Sequence, residues 1–300
     1  MSRPVRRRPT VLAALCAGWL AVLGAAAPAR AQDAHHMFWE VKGRHNTVYL
    51  LGSVHMLKAA DSVLPDDVLR AYAGAGAVVM ELDLSDVNAL QGLSSGLGSA
   101  SLPEDQSLAG ALGAELYAQF LAHAVPLGLD PELVAHFQPW FAALMLEQTA
   151  LSRSGFEAGS GVDMQLAQRA QADHKPITGL ETIDEQLGLF AHLSPEQQRL
   201  YMRTTLQELD AGDRETTLVV GAWKRGDTAA LEQLLREGSA ESPQLYRLLT
   251  TDRNHRWLPK IEALMNDDHD DLVVVGALHL IGRDGLVELL QRDGYRAVQH

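Results

Sequence analysis

Hydrophobic residues fall into two patterns along this chain. Short unbroken runs at 48–51, 77–80, 176–180 and 272–275 are rich in Val, Ile and Leu. Runs of that length read as buried strands. A further pair of segments, 38–42 and 47–51, flanks Gly43-Arg44-His45-Asn46 and predicts a hairpin that opens the sheet. Between the outer strands, apolar residues recur at helical spacing from about 107 to 173 and again over most of 196–265. Start signals support those helices. Asp130-Pro131 places a cap residue before a first-turn proline, and Thr182 with Glu185 and Ser194 with Gln197 have capping-box spacing. Thr251 to Arg256 reads as the start of the last long helix, and Gln91 to Ser101, rich in Gly and Ser, as a loop. The expected fold class is helix-rich α/β, with strands near both ends of the chain and a helical insertion over roughly 105–265.

One pattern occurs twice. Thr47–His55 runs from an apolar strand into Gly52-Ser53-Val54-His55, and Leu272–His279 runs into Gly276-Ala277-Leu278-His279. Each unit continues into a helical stretch (66–73 and 284–292) and another strand (77–82 and 295–298). A strand, a glycine, a histidine three residues on, a helix and a strand are thus repeated at the two ends.

The first 31 residues form a different object. Arg3, Arg6, Arg7 and Arg8 precede an apolar run from Val11 to Ala27, and Ala29-Arg30-Ala31 fits a cleavage site before Gln32. A helix of this apolar run would be about 26 Å long, shorter than a hydrocarbon core of about 30 Å. A secretory signal peptide over 1–31 is expected, with export to the periplasm or medium. Pro9 and Thr10 after the arginine pair favour the general secretory route over the twin-arginine one. The sole cysteine, Cys16, lies in this segment. The processed chain would therefore have no disulfide and no thiolate ligand, so any metal site must use His and carboxylate. Processing removes five arginines and no acids, taking the net charge from −13 to −18. Such an acidic chain is a poor nucleic-acid binder. No second long apolar stretch follows, so no membrane span is expected after cleavage.

The four apolar runs present His55, Glu81 with Asp83, Glu181, and His279 at their C-terminal ends. If those strands are parallel neighbours, the groups converge on the sheet edge where α/β proteins bind ligands. A single histidine after a strand is ordinarily a loop residue, and the repeated spacing is what singles out His55 and His279. Glu81 leaves a buried run, where an unpaired charge would be costly. Arg253 and Asn254 are further candidates, with helix capping as their plainer role. His35, His36 and His269 read as surface residues. Ser53 is not in a Gly-x-Ser-x-Gly elbow, which argues against a serine hydrolase.

Together these motifs resemble the TraB/PrgY/GumN family, which includes the Tiki-type metalloproteases. The resemblance lies in the paired Gly-x-x-His motifs, Val78-Val79-Met80-Glu81-Leu82-Asp83, Gly161-Val162-Asp163, Gly179-Leu180-Glu181-Thr182 with Gln186, and Arg253-Asn254. It covers roughly 38–298, and the short exported form is most similar to the GumN-like branch. The resemblance implies a single α/β domain over 32–300 with a central mixed sheet, two related halves and a helical middle. It also implies a site made of both histidines and the glutamate, and kinship with erythromycin-esterase-like hydrolases.

Three functions compete. In the leading one the protein is a divalent-metal-dependent hydrolase, a peptidase by resemblance. His55, His279 and Glu81 would be ligands of Zn, Mn or Co, with Glu81 alternatively the general base. Arg253, Asn254 and Glu181 would complete the catalytic set, and the substrate would be a peptide or small molecule. A metal-free esterase-like hydrolase and a non-enzymatic peptide-sequestering protein are the alternatives. Oligomeric state is not legible.

Overall fold

The computed structural model of the protein describes residues 36–83, 98–212 and 214–300. The expected signal segment and most of the Gly- and Ser-rich loop lie outside these residues. Six strands form one mixed sheet: β1 (Phe38–Lys42), β2 (Thr47–Ser53), β3 (Ala77–Met80), β4 (Ile177–Gly179), β5 (Asp271–Gly276) and β6 (Ala297–Gln299). Their order is β4-β3-β5-β2-β1-β6. β4, β3, β5 and β2 are consecutive parallel neighbours, and β1 runs antiparallel to both β2 and β6.

The sequence explains the arrangement. β5 is buried at every residue, as an unbroken Leu-Val-Val-Val run at the centre of a parallel sheet must be. The chain crosses from β2 to β3 through helix Asp66–Gly74, leaving one place between them. β5 fills that place almost two hundred residues later. It then crosses through helix Leu286–Arg292 to β6 at the far edge. Both repeats are therefore parallel strand–helix–strand crossovers that skip neighbours, and they set the two glycine–histidine turns side by side.

The helical middle has its own core, built on Phe120, Trp140, Leu146 and Met202, while the sheet and its covering helices form a second one. Tyr246 packs against both. Capping boxes at Thr182/Glu185 and Ser194/Gln197 open helices Ile183–Ala191 and Pro195–Ala211.

One expected helix start is corrected. Thr251 does not cap anything: Pro243–Tyr246, a π-helical segment Arg247–Thr251 and Asp252–Leu264 form one continuous helical run. Its backbone N–H groups already have helical partners, so the polar residues there are released from capping. A π turn shifts the helical face that follows it, and here Arg253, Asn254 and Trp257 are buried rather than presented to solvent.

Candidate functional site

The C-terminal ends of β2, β3, β4 and β5 bring His55, Glu81, Glu181 and His279 to one edge of the sheet, and the π-containing helix brings Arg253 and Asn254 to the same place. Arg253 is the hub. Its Nη2 donates to Glu81 Oε2 at 2.5 Å and to Glu181 Oε1 at 2.7 Å. Nε donates to Glu181 Oε1 at 3.1 Å, and Nη1 to the Leu249 carbonyl at 3.2 Å. Trp257 Nε1 and Gln186 Nε2 also donate to Glu181, at 3.3 and 3.0 Å. Glu181 thus spends its acceptors on holding Arg253 and the helices around it.

Glu81 keeps its other oxygen for the cleft. Oε1 accepts from the Gly276 N–H at 2.8 Å and lies 3.9 Å from His279 Nε2. Burial opposes ionisation of Glu81, but the positive charge of Arg253, interactions with both imidazoles and the Gly276 N–H outweigh it. They hold the carboxyl well below the usual range.

The two histidines differ sharply. His279, carried on a 3-10 turn directly after β5, is buried. Its Nδ1 faces Asn254 Oδ1 at 2.6 Å, and its Nε2 faces Arg253 Nη1 at 3.1 Å. Arg253 has no acceptor to offer, so Nε2 must be the lone-pair nitrogen and Nδ1 the protonated one. Burial, aided by the charges of Arg253 and His55, outweighs the raising effect of Glu81 and pushes its pKa down to about 3, which keeps the ring neutral. The His55 side chain is 45% exposed, and its Nδ1 pairs with Asp163 Oδ2 at 2.8 Å. Ser53 Oγ donates to the other Asp163 oxygen at 2.6 Å. The Asp163 charge raises the His55 pKa to about 9. Gly161 makes this pairing possible, because a Cβ there would collide with the His55 carbonyl oxygen.

Gly276 marks where the groups meet. A Cβ placed on it would lie 3.3 Å from Glu81 Oε1, 3.6 Å from His279 Cδ2 and 3.7 Å from His55 Nε2. The bare glycine leaves a small cradle walled by a carboxylate and two imidazoles. Each imidazole has its Nδ1 engaged by an oxygen, an arrangement typical of metal-ligating histidines. The donor types suit a divalent ion, but the ligand atoms of His55, Glu81 and His279 do not all lie within 4.8 Å of one another, and Arg253 occupies Glu81 Oε2 and the His279 lone pair. A separate trio, Asp267, His269 and Asp271, sits at the opposite end of β5.

A family model for the TraB/PrgY/gumN family matches residues 37–299. The chain belongs to the TraB/PrgY/gumN family. Among its relatives, the uncharacterized protein YbaP of Shigella flexneri is 27% identical over 248 residues, covering 83% of this chain and 88% of YbaP. YbaP of Escherichia coli (strain K12) is also 27% identical, covering 81% and 87%. Metalloprotease TIKI2 of Xenopus tropicalis is 22% identical over 326 residues, covering 91% of this chain and 61% of that protein. No solved structure matches the chain significantly.

Within this family member, several site groups escape a reading based on strand ends. Asp163 sits two residues after the cap Gly161, in the first turn of helix Val162–Ala172, and looks like a first-turn acid. Its motif was visible, but its partner, 108 positions away, was not. Gln186 stands with Glu181 in the family motif but without a role, and Trp257 carries no local signal beyond helical position. Asn254 has no direct place in the cleft. It lies fully buried behind His279, bonded to that residue and to the Asp284 carbonyl.

Proposed function

We propose that this protein is an exported hydrolase that depends on a divalent metal and cleaves peptide bonds. The observation that carries the reading is the convergence of His55 Nε2, His279 and Glu81 Oε1 around the bare face of Gly276. Similarity to TIKI2, named a metalloprotease, supports the reaction class, and the signal-like N-terminal segment supports export. No helix among the described residues is long and apolar enough to cross a membrane.

His55, His279 and Glu81 would hold the ion, which supplies Lewis acidity to polarise a carbonyl and acidify water. Asn254 and Asp163 fix the two imidazoles so that Nε2 faces the cradle. Glu81 acts as a charge anchor. A carboxylate whose pKa is held this low is a weak base, so the general-base role weighed for it loses support. Arg253, positioned by Glu181, brings a permanent positive charge beside the reacting group, where it stabilises a developing oxyanion. Glu181 and Asn254 are positioning residues in this scheme.

The hydrogen bond from Arg253 to His279 Nε2 favours a second reading, a metal-free hydrolase. There, His55 and His279 are imidazoles of opposite protonation at neutral pH and could divide the acid and base roles. Elemental analysis of purified protein and peptide-library cleavage with and without chelator separate the two. Bound metal with chelator-sensitive cleavage supports the first reading. Metal-free protein with chelator-resistant cleavage overturns it in favour of the second.

A further inference from the structure

At the opposite end of β5 from Gly276, the loop after helix Asp252–Leu264 carries Asp267 and His269, and the strand begins at Asp271. One ligand atom from each of these residues lies within 4.8 Å of the others. Asp267 is half-buried and His269 exposed, while Asp271 is 1% exposed. Oδ2 of Asp271 has no hydrogen-bond partner, and Oδ1 has only His269 Nδ1, at 3.3 Å. The backbone of Asp271 is locked between Val48 of β2 and Ala77 of β3, so the side chain cannot withdraw by moving its strand. A buried carboxylate with one oxygen unpaired and only a single long contact on the other is a costly arrangement that a cation relieves. The neighbouring Asp270 is engaged elsewhere, its Oδ1 accepting from the Thr47 N–H.

We propose that Asp267, His269 and Asp271 form a second divalent-cation site, of a zinc-like first-row transition ion, which pins this loop to the start of the central strand. The donor set argues for the ion class. Calcium and magnesium prefer all-oxygen shells, whereas one imidazole with two carboxylates suits zinc and its neighbours. Two ligands each about 2.1 Å from one ion lie at most about 4.2 Å apart. Around a tetrahedral ion that separation is about 3.4 Å; His269 Nδ1 and Asp271 Oδ1 are already 3.3 Å apart, and a pair at the 4.8 Å limit would close by about 1.4 Å at most, which bend residues on an exposed loop can do. Gly76 packs against the ligand: a Cβ there would lie 2.7 Å from His269 Cγ and push the ring away. Gly276 is five residues along β5, about 17 Å in an extended strand, so this ion would be distinct from one in the cleft. The inference stands independently of the proposed hydrolase activity.

The test is calorimetric titration of zinc chloride into the His55→Ala/His279→Ala variant, in which the cleft has lost its imidazoles. One equivalent should still bind and should raise the melting temperature. Adding His269→Gln, an exposed position chosen so that the fold survives, should weaken that binding at least tenfold and abolish the thermal shift. Should the cleft variant fail to fold, wild type serves: His269→Gln should then remove one equivalent from the total. Absence of zinc binding outside the cleft at micromolar concentration overturns the site, as does binding that His269→Gln changes by less than tenfold.

Discussion

Asn254 accepts the Nδ1 proton of His279. Its Nδ2 donates to the His279 and Asp284 carbonyls at 3.1 and 2.7 Å, which leaves Oδ1 as the atom 2.6 Å from His279 Nδ1. A carboxamide oxygen can only accept, so Nδ1 carries the proton and Nε2 keeps its lone pair for the cleft. Removing an orienting partner of this kind ordinarily costs about 10–100-fold in metal affinity or activity. Asn254→Ala should fall in that range in kcat. Asn254→Asp, which still accepts from Nδ1, should retain more of it. Nitrogen NMR of the imidazole should show the protonated Nδ1 tautomer in wild type, and also in Asn254→Ala, where Arg253 Nη1 still donates to Nε2. A proton on Nε2 in the wild-type ring would sink the assignment.

Arg253 has a structural duty as well as a chemical one. Glu81 and Glu181 both lean on it, and all three side chains are at most 9% exposed. Leaving two buried carboxylates without their cation is strongly destabilising, at about 3–5 kcal/mol for a broken buried pair. Arg253→Ala should lower unfolding free energy by about that amount in urea denaturation. Arg253→Lys, which keeps the charge but loses the fork, should lose less stability while activity still falls. A near-wild-type midpoint for Arg253→Ala would show that the network contributes little.

A different buried acid should respond to pH. Glu147 is 2% exposed, neither of its carboxylate oxygens has a hydrogen-bond partner, and burial raises its pKa from the ordinary 4.5 to about 8. Between those two values the folded chain holds a proton that the unfolded chain has lost. The stability this provides is complete below about pH 4.5 and is lost as pH rises towards about 8, at no more than about 1.4 kcal/mol per pH unit. Glu147→Gln is neutral throughout and removes that slope. Its melting temperature relative to wild type should climb steadily from pH 5 to pH 8. A constant difference across that range would show that Glu147 is ionised in the folded chain.

The sheet was legible because parallel strands announce themselves as short apolar runs, buried in β2, β3 and β5 and half-exposed in edge strand β4, and all four ended on chemistry-bearing residues. Caps such as Thr182 with Glu185 were equally local and equally visible. What the sequence hid was contact across the chain. The likeness of the two Gly-x-x-His units suggested equal histidines. The environments that separate them come from Asp163 on one side and Asn254 with Arg253 on the other, each brought in by a different helix. The π segment at 247–251 was hidden for another reason: Thr251-Asp252 carries a capping signature, and the helix simply runs through it. Strand-end reading also could not tell that Glu181 would be consumed in holding Arg253.

Gly276 offers the cleanest test of the cleft, because changing it leaves every candidate ligand in place. Its backbone, at φ −50° and ψ 136°, is open to any residue. Its N–H would still donate to Glu81 after substitution. An alanine Cβ would occupy the cradle, 3.3 Å from Glu81 Oε1 and within 3.7 Å of both imidazoles. The first of these contacts is tight and asks Glu81 to shift by a few tenths of an ångström, and the others are ordinary packing distances. Overpacking of this size costs about 1–3 kcal/mol at most, so Gly276→Ala should fold. A site that works by closing three groups around one point should still lose its ion and at least about 10²-fold in rate, since misplacement by about 1 Å is enough for that. Gly161→Ala makes the contrast: it should disturb folding as well, through its collision with the His55 carbonyl. Metal content, turnover and melting temperature of Gly276→Ala, measured on one preparation, decide the matter. A folded variant with full activity would place the reacting centre somewhere other than the face of Gly276.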